Sequence, residues 1–239
     1  METVYLIIVI LIAYLVQSVT GFGGALLSLP ITILLIGFDQ ARLLATALSL
    51  ITGMLVSIRY WRQINRPKLA FILLVMAIGT GAGLLLDKVL DAPLLITLYG
   101  LATIGIALAS FIPRKGPPRR PGKILGLLIL LLAGIMQGLF VAGGAFLMVY
   151  AIHEFPDKTE FRATCSAVWG ALNWFMLLNY GFAGKINLQG LKLIALCAPL
   201  VLITLFVAEK LQSRINQAFF FKAANVLLLV TGVILLASH

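Results

Sequence analysis

Two short stretches of this sequence combine glycine with a side-chain amide, a combination suited to binding a small anion. The first reads QSVTGFGGALL and begins at Gln17, and the second reads QGLFVAGGAFL and begins at Gln137. Glycine lets the backbone approach a ligand because no Cβ intervenes. A helix that begins in such a stretch presents unpaired N–H groups and the positive end of its dipole. Each stretch therefore predicts half of an anion site, and close packing of small residues between helices is the alternative.

The expected site takes backbone N–H groups at 23–25 and 143–145 to hold an oxyanion. Two glutamines and two threonines are expected to tune selectivity: Gln17, Gln137, Thr20 and Thr164. Serine and threonine in membrane helices often bond to their own backbone instead. The full set of expected substrate-binding residues is Gln17, Ser18, Thr20, Gly21, Gly23, Gly24, Ala25, Thr46, Gln137, Gly143, Gly144, Ala145 and Thr164. Possible cavity-lining residues farther along the chain are Ser166, Trp169 and Asn173.

Two arginines, Arg42 and Arg162, open matching apolar segments after the two stretches. An arginine at the start of a membrane helix commonly extends its head group to the interface. The matched positions favour a second interpretation, in which the arginines pair with Asp39 and Glu160 or supply positive potential at the entrances to the site.

The composition indicates a polytopic membrane protein. Apolar residues make up 62% of the 239 residues, charged residues only 11%, and mean hydropathy is +1.10, whereas a soluble domain carries about 25% charged residues. The net charge of +10 does not indicate nucleic-acid binding, because nine of the 18 Lys and Arg residues lie in the loops 59–68 and 113–123, which contain no acid. Such loops are typical of the cytoplasmic side.

The apolar segments fall into two halves of five around a basic, proline-rich linker. We predict a first transmembrane repeat over 1–112, a cytoplasmic linker over 113–123 and a second transmembrane repeat over 124–239. The expected segments are 4–19, 24–36, 41–58, 69–86, 93–112, 124–140, 144–152, 161–178, 188–208 and 219–237.

The two halves are repeats at an offset of 120 residues, which also aligns Arg42 with Arg162 and Tyr60 with Tyr180. The basic bias of the loops changes sides between the halves, which favours inverted topology with both termini outside. The first two segments of each repeat are too short for two full crossings of a core of roughly 30 Å. We therefore expect an all-α fold in which each repeat is a Gly-tipped helical hairpin plus three transmembrane helices, with the two tips meeting near the midplane.

Enzyme chemistry finds little support in the sequence. It has no HExxH, Walker A or GxSxG motif, so we expect no catalytic residues, no metal site and no cofactor. Cys165 and Cys197 lie far apart in apolar segments and predict neither a disulfide nor a zinc site. Carboxylates lie near predicted segment ends, and His153 beside Glu154 is the best titratable candidate, so the residues themselves do not reveal proton coupling.

Several stretches together resemble the TauE/SafE sulfite exporter family: QSVTGFGGALLSLP, GLFVAGGAFLMVY, ATALS, FRATCSAVW and the basic linker. The likeness covers nearly the whole chain. It implies a multi-pass carrier of the bacterial inner membrane for a small sulfur-containing anion such as sulfite, sulfonate or sulfoacetate. It also implies export driven by the proton gradient. The second tip departs from the family pattern at Ala142, Tyr150 stands where the first repeat has Pro30, and the helix over 144–152 is short.

We therefore expect a secondary transporter, a probable exporter, that binds its anion between the two tips and works by alternating access. The expected partners are the small anion, the lipid bilayer and protons as coupling ion, without nucleic acid. An anion channel of the same fold is one alternative, and a membrane scaffold or assembly factor without transport is the other.

Overall fold

The computed structural model describes residues 2–111, 122–155 and 157–211, together with positions 226, 229, 230, 233, 234, 236 and 237. Regular structure in these ranges is helical, as the all-α prediction requires. The helices are α1 (Glu2–Thr20), α2 (Gly24–Ile36), α3 (Phe38–Arg59), α4 (Arg66–Asp87), α5 (Ala92–Phe111), α6 (Lys123–Phe140), α7 (Gly144–Glu154), α8 (Lys158–Phe182) and α9 (Leu188–Leu211), with a short 3₁₀ turn at Trp61–Gln63. Most of the predicted linker, and most of the last predicted segment, lie outside the described residues.

Both helical hairpins of the predicted fold are present. The tip of the first turns through Gly21 and Gly23, whose φ angles of 85° and 93° lie in the left-handed region that glycine adopts at little cost. The second hairpin turns through Val141 at φ 56°, although a β-branched residue is strained there. Val141 occupies the position equivalent to Gly21, so the two tips reach similar turns from different residues.

Each half packs its helices against the other half in an equivalent way. The first helix of each half packs against the fourth helix of the other, as α1 on α9 and α6 on α4. The third helices, α3 and α8, pack against one another. The exchange of equivalent helices indicates that both halves contribute to one core.

The α3–α8 pair is antiparallel. The guanidinium of Arg42 lies 5.7 Å from the ring centre of Tyr180, and that of Arg162 lies 5.1 Å from the ring centre of Tyr60. Residue numbers therefore rise along one helix as they fall along the other. This is the direction that inverted repeats require of equivalent neighbouring helices, and it supports the inverted arrangement that the loop charges predict.

Glycine permits a close helix contact between α4 and α6. On α4, a Cβ at Gly79 would collide with the carbonyl of Leu131, and one at Gly83 with the carbonyl of Ile135. On α6, a Cβ at Gly134 or Gly138 would likewise collide with carbonyls of α4. Small residues spaced by four are typical of closely packed membrane helices. This contact joins the fourth helix of one half to the first helix of the other.

The outer surface of the bundle is apolar. Within the described residues, four helices are long and apolar enough to cross a membrane: Phe38–Arg59, Arg66–Asp87, Lys123–Phe140 and Leu188–Ala208. Shorter apolar helices run over Thr3–Val19, Gly24–Ile36 and Ala92–Leu108. Large side chains such as Leu74, Ile78 and Leu85 are more than 60% exposed, which suits lipid as the surrounding solvent. The chain is an all-α polytopic membrane protein.

Candidate functional site

The two hairpin tips meet. A Cβ built at Gly144, the first residue of α7, would lie 3.6 Å from Cβ of Phe22 and 3.7 Å from the amide nitrogen of Gly23 in the first tip. These are ordinary van der Waals distances, so the beginnings of α2 and α7 are neighbours.

A small cavity of about 20 Å³ lies between the tips. It takes walls from both hairpins and from α3 and α8. The sequence-predicted residues among its lining are Gln17, Gly23, Ala25, Gln137, Gly144, Trp169 and Asn173, and the others are Leu26, Ser49, Val141 and Ala142. Residues 120 positions apart in the sequence, such as Gln17 and Gln137, thus line the same space.

The two glutamines play matching parts at the helix starts. The amide oxygen of Gln17 accepts a hydrogen bond from the N–H of Gly24 at 3.1 Å, and that of Gln137 accepts one from the N–H of Gly143 at 3.3 Å. Each bond satisfies one N–H group that a helix start leaves without an intrahelical partner. One backbone donor of each tip is therefore held by glutamine in this structure.

The amide nitrogens of the two glutamines differ. Nε2 of Gln137 donates to Oδ1 of Asn173 at 3.0 Å, and Nδ2 of Asn173 donates to the carbonyl of Trp169 at 2.9 Å. In the part of the chain that the structure describes, the side chain of Gln17 makes only its hydrogen bond to Gly24. Gln17 is 5% exposed, so its NH₂ group is the side-chain donor that the first hairpin offers to the cavity.

The walls that α3 and α8 contribute to the cavity differ in polarity. At the repeat offset of 120 residues, Ser49 and Gly53 on α3 are equivalent to Trp169 and Asn173 on α8. The hydroxyl of Tyr14 lies 3.2 Å from the Ser49 hydroxyl and also donates to the carbonyl of Ala45 at 3.0 Å. The polar lining is therefore larger on the side of the second repeat.

Several predicted site residues do not line the cavity. The Ser18 hydroxyl lies 3.4 Å from that of Thr204 on α9, and the Thr46 hydroxyl donates to the carbonyl of Arg42 at 2.8 Å. The Thr164 hydroxyl accepts from the N–H of Asn65 at 3.1 Å and so holds the turn before α4. In this structure each of these hydroxyls is used in helix or loop packing, and their part in binding an anion stays a prediction.

The remaining predicted residues flank the cavity. Ser166 lies where α8 meets α3, with its carbonyl against Gly53. The side chain of Thr20 lies outside the described residues. Four residues belong to the tips without being among the cavity lining: Gly21, Gly24, Gly143 and Ala145.

Arg42 is buried in an ion pair with a residue distant in the sequence. Its side chain is 2% exposed, and Nη1 lies 2.6 Å from Oδ1 of Asp87 at the end of α4. Nη2 donates to the carbonyl of Gly138 on α6 at 3.1 Å, and Lys185 lies 3.1 Å from the other Asp87 oxygen. Arg42 therefore pairs with Asp87 rather than with Asp39, and its part in the potential at an entrance stays a prediction.

Arg162 is also buried, at 4% exposure, and lies against the first tip. A Cβ at Gly21 would lie 3.2 Å from Cα and 3.3 Å from Cγ of Arg162. The neighbouring Glu160 accepts a hydrogen bond from Nδ2 of Asn65 at 2.7 Å. Arg162 therefore packs one face of the tip, and it is not among the cavity lining.

Sequence reasoning missed two features of the site, the turn at Val141 and the acid that partners Arg42. The left-handed turn at Val141 has no glycine to announce it. Ser49, which the sequence groups with Thr46 and Thr52 as polar residues of α3 with cavity lining left open, does line the cavity beside Trp169, so it is not among the missed features. Asp87 aligns with Glu209 in the repeat, and that match was the signal available for an acid that partners Arg42.

The described residues contain no group of three or more His, Cys, Asp or Glu side chains placed to hold a metal ion. The cavity offers amides, one hydroxyl, one indole and the N-terminal ends of two helices. Such a lining can bind by hydrogen bonding and by the helix dipoles.

Comparison with protein-family models matches residues 6–235 to the family described as sulfite exporter TauE/SafE. The chain belongs to the TauE/SafE family. The match spans nearly all of the chain, including both hairpins and both third helices. Searches of curated proteins and of solved structures gave no match. The family and the apolar helices together make this TauE/SafE protein a multi-pass membrane transporter for sulfite-type anions.

Proposed function

We propose that this TauE/SafE protein is a secondary carrier that exports a small sulfur-containing anion, such as sulfite, a sulfonate or sulfoacetate, from a site between its hairpin tips. The observation that supports the site is the cavity shared by Gln17, Gly23, Gln137 and Gly144. Helix beginnings at the centre of a transporter are a recurring way to hold anionic groups.

The substrate would lie between the beginnings of α2 and α7. Each helix start carries roughly half a positive elementary charge, and the Gln17 amide adds a donor. The glutamine oxygens that accept from Gly24 and Gly143 keep the two starts in place. A bound anion would then meet donors from both repeats, and motion of one repeat against the other would open and close the site.

Polar contacts close both ends of the bundle in the conformation described. At one end, Arg42, Asp87 and Lys185 join α3, α4 and the segment after α8. At the other, Asn65 bonds to Thr164 and Glu160 and so joins the start of α4 to α8. In the proposed cycle these two sets of contacts separate in turn, which is alternating access.

The proposed orientation follows the basic loops. The loops 59–68 and 113–123 would face the cytoplasm of a bacterial cell, and both termini would face outside the inner membrane. The Asn65 contacts would then close the cytoplasmic end. We include the proton gradient as the driving force on the family resemblance, and an uncoupler that abolishes concentrative flux would support it.

The test is flux of labelled sulfite in proteoliposomes containing the full chain and the variant Gly144→Val. A Cβ at Gly144 would lie at ordinary contact distance from Phe22 and Gly23 of the first tip, so a larger side chain there occupies the space between the tips. We expect wild-type flux to saturate and the variant to lose it. The matched control is Gly81→Val on α4, where an added Cβ meets nothing within 4 Å.

Three results would overturn the proposal. Unsaturable flux would indicate a channel. Absence of flux for sulfite and sulfonates in a correctly folded preparation would favour a scaffold. Wild-type flux in a folded Gly144→Val protein would show that the substrate does not bind in the tip cavity.

A further inference from the structure

We propose that the tip cavity selects anions of a single negative charge, hydrogensulfite and simple sulfonates, and excludes dianions: sulfite, sulfate and, among the substrates considered above, sulfoacetate with its carboxylate ionised. This inference rests on the proposed function, since it concerns what the same cavity accepts. It is drawn from the charges and donors around the cavity.

The cavity has a neutral lining. Its eleven lining residues are Gln17, Gly23, Ala25, Leu26, Ser49, Gln137, Val141, Ala142, Gly144, Trp169 and Asn173, and none of them is charged. The cost of moving an ion out of water rises with the square of its charge, so a dianion loses about four times as much hydration as a monoanion of equal size. A site without a cationic side chain has little to offset that larger loss.

The two arginines nearest the tips do not change this balance. The charge of Arg42 is paired with that of Asp87, since Nη1 lies 2.6 Å from Oδ1. The same network also contains Lys185 and Asp39. Arg162 lies under Gly21 and is not among the cavity lining. The positive potential in the cavity therefore comes chiefly from the backbone.

The backbone contribution matches one negative charge. The beginnings of α2 and α7 border the cavity through Gly23, Ala25 and Gly144, and each contributes roughly +0.5 of an elementary charge. Their sum is close to that of a single cation spread over several N–H groups. A monoanion is thereby neutralised, whereas a dianion would keep an uncompensated charge in a low-dielectric space.

The donors within reach are also few. Gln17 offers its NH₂ group, whereas Gln137 has its amide nitrogen bonded to Asn173 and the Trp169 indole N–H bonded to the Gly21 carbonyl. The apolar side chains of Leu26, Val141 and Ala142 complete the wall. A hydrogensulfite ion or a sulfonate group carries one charge on its oxygens and has a less polar side. Such an anion suits a lining in which a few donors stand beside apolar side chains.

The test uses the full chain in proteoliposomes at constant total sulfite, across the pH range in which sulfite takes up its proton. We expect initial flux to follow the hydrogensulfite fraction and so rise about tenfold from one pH unit above to one unit below the midpoint of that protonation. Methanesulfonate keeps one negative charge throughout, so its flux serves as the control and is expected to stay level. Methanesulfonate should inhibit sulfite flux by competition, and sulfate should not.

The methanesulfonate control also separates the protonation of sulfite from any titration of groups on the protein. The hydroxyl of Tyr14 bonds to cavity-lining Ser49. The charged and titratable side chains of the elements that pack around the cavity include Asp39, Arg42, Arg59, Arg66, Lys68, Asp87, His153, Glu154, Lys158, Glu160 and Arg162, with Lys185 just after α8. A change in any of them would alter methanesulfonate and sulfite flux alike. Parallel pH dependence of the two substrates would therefore overturn the inference.

The remaining outcomes are also decisive. Sulfite flux that stays constant or rises with pH, or competition by sulfate equal to that by methanesulfonate, would overturn single-charge selection and leave the carrier function intact. Absence of flux for every sulfur anion would instead overturn the proposed function, and the inference with it.

Discussion

The indole N–H of Trp169 donates to the carbonyl of Gly21 at 3.0 Å. This bond joins the middle of α8, in the second repeat, to the tip of the hairpin in the first. Gly21 is in the left-handed region and has Arg162 directly beneath it. The position of the first tip is therefore set by the helix of the other repeat, and movement between the repeats would change the cavity that Trp169 lines.

Removing this donor should weaken both the tip and transport. In Trp169→Phe the ring volume is largely kept, but the buried Gly21 carbonyl loses its partner, which costs about 1 kcal/mol of unfolding free energy. We expect a slightly lower unfolding temperature in detergent and sulfite flux reduced several-fold. The matched control is Trp174→Phe on the same helix, where the side chain is 54% exposed, and it should change neither quantity.

The hairpins could be predicted because their signal is local. Glycine clusters interrupt apolar runs at Gly24 and Gly144, and α2 and α7 begin at those residues. The repeat offset then brought Gln17 and Gln137 into the same hypothesis, and both line the cavity. Composition and periodicity within a short window were sufficient for this part of the fold.

The partners of buried polar groups could not be predicted in the same way. Asp39 lies three residues from Arg42 and is the local choice, yet the pair forms with Asp87 at the far end of another helix. Thr164 has the right side chain for a ligand, but the fold places it against Asn65. These choices depend on how α3, α4 and α8 pack, and that packing involves residues far apart in the chain.

The ion pair of Arg42 and Asp87 should be costly to break on one side. Asp87→Asn leaves a buried guanidinium without its counter-charge, and we expect a loss of about 3–5 kcal/mol in unfolding free energy. Thermal and denaturant unfolding in detergent micelles measure the loss. Lys185→Met is the control, because Lys185 is 40% exposed and an exposed pair contributes at most about 1 kcal/mol.

A double variant separates charge from packing in this network. Arg42→Met with Asp87→Leu removes both charges and keeps much of the buried volume, so it should be more stable than Asp87→Asn alone. Equal stability of Asp87→Asn and wild type would contradict the buried pair.

The α4–α6 contact should tolerate no added methyl group. In Gly134→Ala the new Cβ would meet the carbonyl of Met76 and the Cα of Gly79, so the helices must separate. We expect a loss of about 1–3 kcal/mol, the usual cost of overpacking. Gly81→Ala is the matched control, since Gly81 lies on α4 between the contact glycines but has open space around it.

The control variant Gly81→Ala should instead raise the free energy of unfolding. Alanine exceeds glycine in helix propensity by up to about 1 kcal/mol, and no clash offsets this gain at Gly81. Equal unfolding midpoints for Gly134→Ala and Gly81→Ala would show that the two helices are not in the close contact described here.

Gln17 allows a nearly isosteric test of the anion site. Gln17→Glu keeps an oxygen to accept from the N–H of Gly24, but it replaces the NH₂ donor with a negative charge. Repulsion between that charge and a bound anion should lower sulfite flux by at least about tenfold. Gln63→Glu adds the same charge in the exposed 3₁₀ turn and should leave flux unchanged. A folded Gln17→Glu protein with wild-type flux would place the anion away from Gln17.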